Sequence, residues 1–221
     1  MICARRVTKT YVSAGTVVPA LDEVDLSVDE GDFVVVHGSS GSGKTTLLLT
    51  LGGMLCPTSG TVFFRAGDIY ALSPWRRSRY RQRHVGFIFQ KFFLLPYLTA
   101  FDNIRLALTL HGYQGDQEQR IVHLAQRLGI AHRLGHRPWQ LSVGEQQRVA
   151  MARATAGAPE LILADEPTGN LDQANSEAFA RFLLDENQHG RTIVLVTHDE
   201  SLLRLGNRTV QLRSGRLSDA A

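Results

Sequence analysis

No stretch of this chain approaches the roughly 18 consecutive apolar residues that a membrane-spanning helix requires. The opening residues, Met1-Ile2-Cys3-Ala4-Arg5-Arg6, likewise hold no signal-peptide core. A chain that is soluble when alone is therefore expected. Cysteine is nearly missing too. Cys3 and Cys56 stand far apart, with neither metal-ligand spacing nor a disulfide framework around them, so two reduced thiols in a cytosolic chain are expected. Lysine occurs only as Lys9, Lys44 and Lys91, and the rest of the positive charge is arginine. The formal net charge of +3 is a mild excess, too small to mark a dedicated nucleic-acid binder. With 43% hydrophobic and 20% charged residues, disorder and low complexity are excluded. The 221 residues suffice for one large domain or two small ones.

Four short apolar runs organise the chain: Phe33-Val34-Val35-Val36, Val85-Gly86-Phe87-Ile88-Phe89, Leu161-Ile162-Leu163-Ala164 and Ile193-Val194-Leu195-Val196. Each is continuous and not alternating, the pattern of a strand buried on both faces of a helix-covered sheet. Helical stretches lie between them, among them Glu118 to Leu128 and Gln173 to Gln188. An α/β fold with a mostly parallel central sheet is expected. The first run leads into Gly38 to Thr45, the second into Gln90, the third into Asp165-Glu166 and the fourth into Thr197-His198-Asp199. Ligands of open α/β sheets sit beyond the carboxyl ends of the strands, so four polar endings predict one shared site.

Gly38-Ser39-Ser40-Gly41-Ser42-Gly43-Lys44-Thr45 fits the P-loop pattern G-x-x-x-x-G-K-S/T, with Thr46 next in the chain. Glycines let the backbone N–H groups wrap phosphate oxygens, and a helix from Lys44 to about Met54 would aim its positive end at the anion. Lys44 would neutralise the β and γ phosphates, and the Thr45 hydroxyl would bind Mg²⁺. Asp165, ending a buried run, would hold the metal shell. Glu166, one residue on, would polarise an attacking water.

Many P-loop enzymes share those two elements. Leu141-Ser142-Val143-Gly144-Glu145-Gln146-Gln147-Arg148 narrows the reading, because it resembles the signature of ATP-binding-cassette (ABC) proteins, usually L-S-G-G-Q. Ser142 can cap a helix whose free N–H groups, with Gly144 for close approach, would grip a γ-phosphate. The resemblance implies a fold with the P-loop core of ABC type, an antiparallel β part near the N-terminus and a helical subdomain. It implies that the whole of 1–221 forms a single domain, its nucleotide-binding core at 1–90 and 159–221 and its helical subdomain at 91–158. By the same resemblance, the phosphate gripped by Ser142, Gly144 and Glu145 would belong to ATP on a second copy of the chain, in a head-to-tail dimer with two composite sites. Gln90 matches the family's loop that couples the Mg²⁺ and water site to a membrane partner, and Gly169-Asn170-Leu171-Asp172 matches a loop crossing the dimer interface. His198 matches the histidine that contacts the γ-phosphate, and Tyr11 the aromatic that stacks on adenine.

The segments Val85 to Gln90 with Phe93-Leu94-Leu95-Pro96, and Leu163 to Asp172, resemble the subfamily of lipoprotein-releasing, macrolide-exporting and cell-division cassettes. That implies a few-span permease with a periplasmic domain as partner and a peripheral place on the cytoplasmic face of the inner membrane. Transport and mechanical control of cell-wall enzymes both stay open. Two positions depart from the signature: Val143 replaces glycine and Glu145 replaces glutamine. A β-branched residue tolerates positive φ poorly, so ordinary helical or β dihedrals are expected at 143. About half of Phe92 to Leu98 is expected to be exposed. The cluster Arg76, Arg77, Arg79, Arg81 and Arg83 is expected to form a solvated helix face, close to anionic lipid and not a nucleic-acid site.

Overall fold

The computed structural model describes residues 1–13, 16–169 and 171–219. Strands β1 (Ile2–Ser13) and β2 (Thr16–Val28) pair antiparallel as a long hairpin. Along the second half of β2, Val24, Leu26 and Val28 are buried while their neighbours face out, the period-two pattern of a half-covered strand. With β4 (Ser59–Phe64) and β5 (Gly67–Asp68) they form a four-stranded sheet in the order β2-β1-β4-β5. This is the antiparallel part expected near the N-terminus.

The central sheet has six strands. These are β3 (Phe33–His37), β6 (Val85–Phe89), β7 (Leu161–Asp165), β8 (Thr192–Thr197), β9 (Arg208–Arg213) and β10 (Arg216–Asp219), in the order β10-β9-β3-β8-β7-β6. Only β10 runs antiparallel to its neighbour. The four apolar runs all lie on strands here, and the burial shows why they are continuous. Val34, Val36, Leu163 and Val194 join one core under α1 (Lys44–Leu51), with Leu47 and Leu51. Their sequence neighbours Val35, Ile162, Ala164 and Leu195 join a second core under α6 (Gln173–Gln188), with Phe179 and Leu183. Through the runs of β3, β7 and β8 both faces are buried, so apolar residues follow one another without alternation.

Helix α1 stops at Leu51, three residues before the expected end. Gly53 takes a left-handed φ of +71°, and a Cβ on Gly52 would lie 2.1 Å from the Phe87 ring, so the chain turns where only glycine passes β6. Helix α2 (Pro74–His84) is capped by Ser73 and runs directly into β6. Helices α3 (Ala100–His111), α4 (Gln117–Arg127) and α5 (Val143–Thr155) enclose a third core, including Ile104, Leu108, Ile121, Leu124 and Val149. No helix among the described residues is long and apolar enough to cross a membrane.

Register places the chemistry. Phe89 pairs with Asp165, Asp165 with Val196, and His37 with Thr197. The residues just past each of these strands therefore emerge along one edge of the sheet.

Candidate functional site

At that edge lies a cleft of ≈ 290 Å³, lined by Ala20, Ser40, Gly41, Gly43, Lys44, Thr45, Thr46, Gln90, Asp165 and Glu166. Nine of these ten were expected from the sequence. Ala20, on β2, was not, although Gly43 depends on it: Gly43 sits at φ +105°, and a Cβ there would lie 2.1 Å from the Ala20 carbonyl oxygen. Gly43 is also the N-cap of α1, whose free N–H groups open into the loop.

Lys44 is buried, at 4% exposure. Its Nζ donates to the carbonyls of Gly38 at 2.8 Å and Ser39 at 3.0 Å, and lies 3.1 Å from Glu166 Oε1. Gly38 and Ser39 thus stand behind the cleft, acting through Lys44. Ser42 Oγ, also expected to serve the phosphate, is buried without a hydrogen-bond partner.

The Thr45 hydroxyl donates to Asp165 Oδ1 at 3.0 Å, joining two of the three expected metal ligands, Thr45, Gln90 and Asp165, across 120 positions of sequence. Burial pushes the Asp165 carboxyl above its ordinary range, against the pull of the Thr45 hydrogen bond and the Lys44 charge. A cation at this point relieves that penalty. The described residues contain no group of three or more His, Cys, Asp or Glu able to hold a metal. One hydroxyl and one carboxylate fit Mg²⁺, which keeps water and substrate oxygens in most of its shell.

Glu166 has a left-handed backbone (φ +42°), uncommon for a residue with a Cβ and frequent where a site demands it. Its N–H donates to Val196 O at 2.9 Å, and its second carboxylate oxygen lies 3.2 Å from His198 Nδ1. His198 is 60% exposed and held on a turn in which the Asp199 N–H donates to Thr197 Oγ1. Gln90 faces the same cleft, and Gly169 is the residue that lets the next loop approach it: a Cβ there would lie 2.8 Å from Gln90 Nε2. Asn170, in the expected interface loop, lies outside the described residues.

Tyr11 does not line the cleft. It is exposed on β1, with Lys9 Nζ 5.5 Å from its ring centroid. Ser142, Gly144 and Glu145 are likewise absent from the lining. Ser142 caps α5 as expected, its Oγ accepting from the Glu145 N–H, and Val143 is the first helical residue, without positive φ. Glu145 is engaged within its own chain. One of its carboxylate oxygens accepts from the Ser142 N–H and the other from Arg133 Nε, each at 2.8 Å. The Ser142 backbone hydrogen bond and the Arg133 guanidinium hold its carboxyl down to about 2. Gly144 is small for an intrachain reason, since a Cβ would lie 2.6 Å from Asn175 Oδ1.

Three links went unread in the sequence. Gln147 donates to the Pro167 carbonyl at 2.9 Å, tying α5 to the loop after Glu166. Arg148 donates to Asn175 Oδ1 at 2.7 Å. Arg153, at the far end of α5, donates to the carbonyls of Phe92 and Phe93, each at 2.6 Å, and Phe93 has φ +48°. Of the segment they belong to, Phe93, Leu95, Pro96 and Tyr97 are exposed and Phe92, Leu94 and Leu98 partly buried, the mixture expected.

The ABC transporter family profile matches residues 21–169. The lipoprotein-releasing system ATP-binding protein LolD of Xanthomonas campestris pv. campestris is 41% identical over 223 residues, covering 100% of this chain and 93% of that protein. The macrolide export ATP-binding/permease protein MacB of Burkholderia thailandensis is 41% identical over 213 residues, covering 96% of this chain and 33% of that protein. The chain thus spans about a third of the length of the macrolide exporters it matches. A bacterial ABC transporter cassette solved as a dimer superposes with a TM-score of 0.93 at 38% identity, covering 99% of this chain and 98% of that one. A dimeric post-hydrolysis cassette bound to ADP and Pi gives the same TM-score at 37% identity and the same coverage.

Proposed function

The chain belongs to the ABC transporter family as an ATP-binding cassette, and on that premise we propose that it hydrolyses ATP to power a membrane permease. The observation that carries the chemistry is the Glu166 carboxylate, set between Lys44 Nζ and His198 Nδ1 at the mouth of the P-loop cleft. Lys44 and the N-terminus of α1 would take the phosphates, with Ser39, Ser40, Gly41, Ser42 and Thr46 shaping the cradle. Mg²⁺ held by Thr45, Asp165 and Gln90 would supply charge neutralisation on those phosphates. Glu166 would orient water and accept its proton as the oxygen attacks the γ-phosphorus and the bond to the β-phosphate breaks, leaving ADP and phosphate. His198, reaching the same carboxylate from the open side, would steady the γ-phosphate. Tyr11 would stack on adenine from its exposed place on β1.

Ser142 and the α5 N-terminus lie outside this cleft, which supports a head-to-tail dimer in which they complete the second copy's site. The relatives' printed names, macrolide export and lipoprotein release, favour outward movement of substrate. Residues 91–158 would form the helical subdomain, and the whole would sit on the cytoplasmic face of the inner membrane through its permease. A groove of ≈ 230 Å³ between α2, β6, α3 and α5, lined by Val85, Phe87, Phe89, Leu110 and Arg153, has the apolar floor that a permease's cytoplasmic helix needs.

Glu166→Gln is the test. Turnover should fall almost to nothing while ATP binding is kept, and an ATP-trapped Glu166→Gln dimer should retain a few-span permease from native membranes. Full ATPase activity in this variant would remove Glu166 from the mechanism.

A further inference from the structure

Helix α2 concentrates charge of one sign. Its 11 residues include Arg76, Arg77, Arg79, Arg81 and Arg83 and no Asp or Glu. Without those five, the remaining 19 Lys and Arg of the chain are outnumbered by its 21 Asp and Glu. The net positive charge of the protein therefore comes from one helix.

The two sides of that helix differ. Arg81 donates to the Gly53 carbonyl at 2.9 Å and, with Gln82, lines the groove between α2, β6, α3 and α5. Arg76, Arg79 and Arg83 are exposed and line a different, open cleft of ≈ 560 Å³ with Trp75 and Tyr80. Among the described residues none of the three meets a carboxylate, and the cleft's lining contains none. Placed at i, i+3 and i+7, they repel one another without compensation. Trp75 is 66% exposed, with the Arg79 guanidinium 5.2 Å from its ring centroid. Uncompensated arginine beside an exposed tryptophan is the composition of a surface that meets lipid headgroups, where the cation finds phosphate and the indole the interfacial layer.

We propose that the Trp75, Arg76, Arg79 and Arg83 face of α2 binds anionic phospholipid headgroups, seating the cassette on the leaflet beside its permease. The position beside the permease rests on the proposed docking groove, because α2 contributes to both surfaces. Lipid binding itself does not, and is measured on the chain alone.

The probe is phosphatidylcholine vesicles with and without about a third phosphatidylglycerol, at about 0.15 M salt. The wild-type chain should sediment with the anionic vesicles and not with the neutral ones. Each arginine is worth about fivefold in partitioning, so the triple variant R76Q/R79Q/R83Q should lose about a hundredfold. A triple variant of equal net charge, R181Q/R204Q/R213Q, should lose little. In a W139F background Trp75 is the only tryptophan, and its emission should shift to the blue on anionic vesicles. Absence of vesicle binding, equal losses in both triple variants, or tighter binding to a short DNA duplex than to vesicles each overturns the proposal. Permease capture through Glu166→Gln can fail while vesicle binding succeeds, so the two readings fall separately.

Discussion

The Glu166 carboxylate lies 3.1 Å from the Lys44 ammonium, so the side chain proposed to accept a proton from water is ion-paired with the one proposed to hold phosphate. An incoming triphosphate must take that carboxylate's place beside Lys44. Glu166→Gln removes the base and also a negative charge from the phosphate cradle. ATP should therefore bind about tenfold more tightly, while turnover falls at least about a hundredfold. Calorimetric titration beside phosphate release reads both. Weaker ATP binding would mean that Glu166 positions Lys44 instead of competing for it.

Asp165 carries a cost to the fold. A carboxyl whose pKa is raised in the folded state contributes stability while protonated and loses it as pH rises through the folded value. Burial raises Asp165, so its ionised form at pH 7 destabilises the chain. Asp165→Asn keeps an oxygen for the Thr45 hydroxyl and removes the charge. It should melt about 2–4 °C above the wild type at pH 7 while ATPase activity is lost. Repeated near about pH 3, where the wild-type carboxyl is protonated, the thermal advantage should shrink toward zero.

Glu145 has the opposite sign. Its carboxyl is held down to about 2 from 4.5, so its contribution is present above the unfolded value and is lost as pH falls from 4.5 toward 2. Glu145→Ala removes the capping box and the Arg133 pair together, and should cost about 1–2 kcal/mol at pH 7. Denaturant unfolding of both proteins at pH 7 and again at about pH 3 should show the difference narrowing with acid. A constant difference would place the stabilisation in packing and not in the charge.

Two glycines with similar backbones separate strain from contact. Gly43 (φ +105°) has the Ala20 carbonyl 2.1 Å from any Cβ, whereas Gly31 (φ +82°) has nothing within 4 Å. Gly31→Ala should cost about 1 kcal/mol and leave ATP binding unchanged. Gly43→Ala must displace the P-loop or β2, and should abolish measurable ATP binding at a cost of about 2–3 kcal/mol. Nucleotide titration and thermal melts of the pair check this.

Arg153→Met keeps the side-chain stem and removes both donors to Phe92 and Phe93. The expected loss is about 2–4 kcal/mol, with amide exchange across residues 92–95 rising at least about tenfold. Hydrogen–deuterium exchange reads the segment directly. Unchanged exchange would leave the Phe89–Phe93 ring contact, 5.2 Å between centroids, as its anchor.

Most of the parallel sheet was legible because β3, β7 and β8 are buried on both faces and leave unbroken apolar runs in the sequence, whereas β9, whose burial alternates, left none. The cleft was legible because the register of β6, β7 and β8 aligns the polar residues at the end of each run. The hidden parts depend on tertiary approach. Arg153 and Phe93 are 60 positions apart, Arg148 and Asn175 are 27 apart, and no local pattern announces either pair. The end of α1 was overrun although Gly52-Gly53 marks it: Gly53 takes a left-handed φ of +71°, the turn that glycine after a helix announces. A serine with glutamate three residues later is a capping box, so the intrachain link between Ser142 and Glu145 was open to a local reading.

Helix α5 is finished differently at its two ends: by the Ser142–Glu145 capping box at one, by the Arg153 guanidinium on two carbonyls at the other. Thirteen residues of α-helix make a stiff rod roughly 20 Å long. A tilt of about 10° at the capped end swings the other by roughly 3 Å, enough to part hydrogen bonds that start at 2.6 Å. The Phe92 and Phe93 carbonyls, both held by the one Arg153 guanidinium, would lose their donors together.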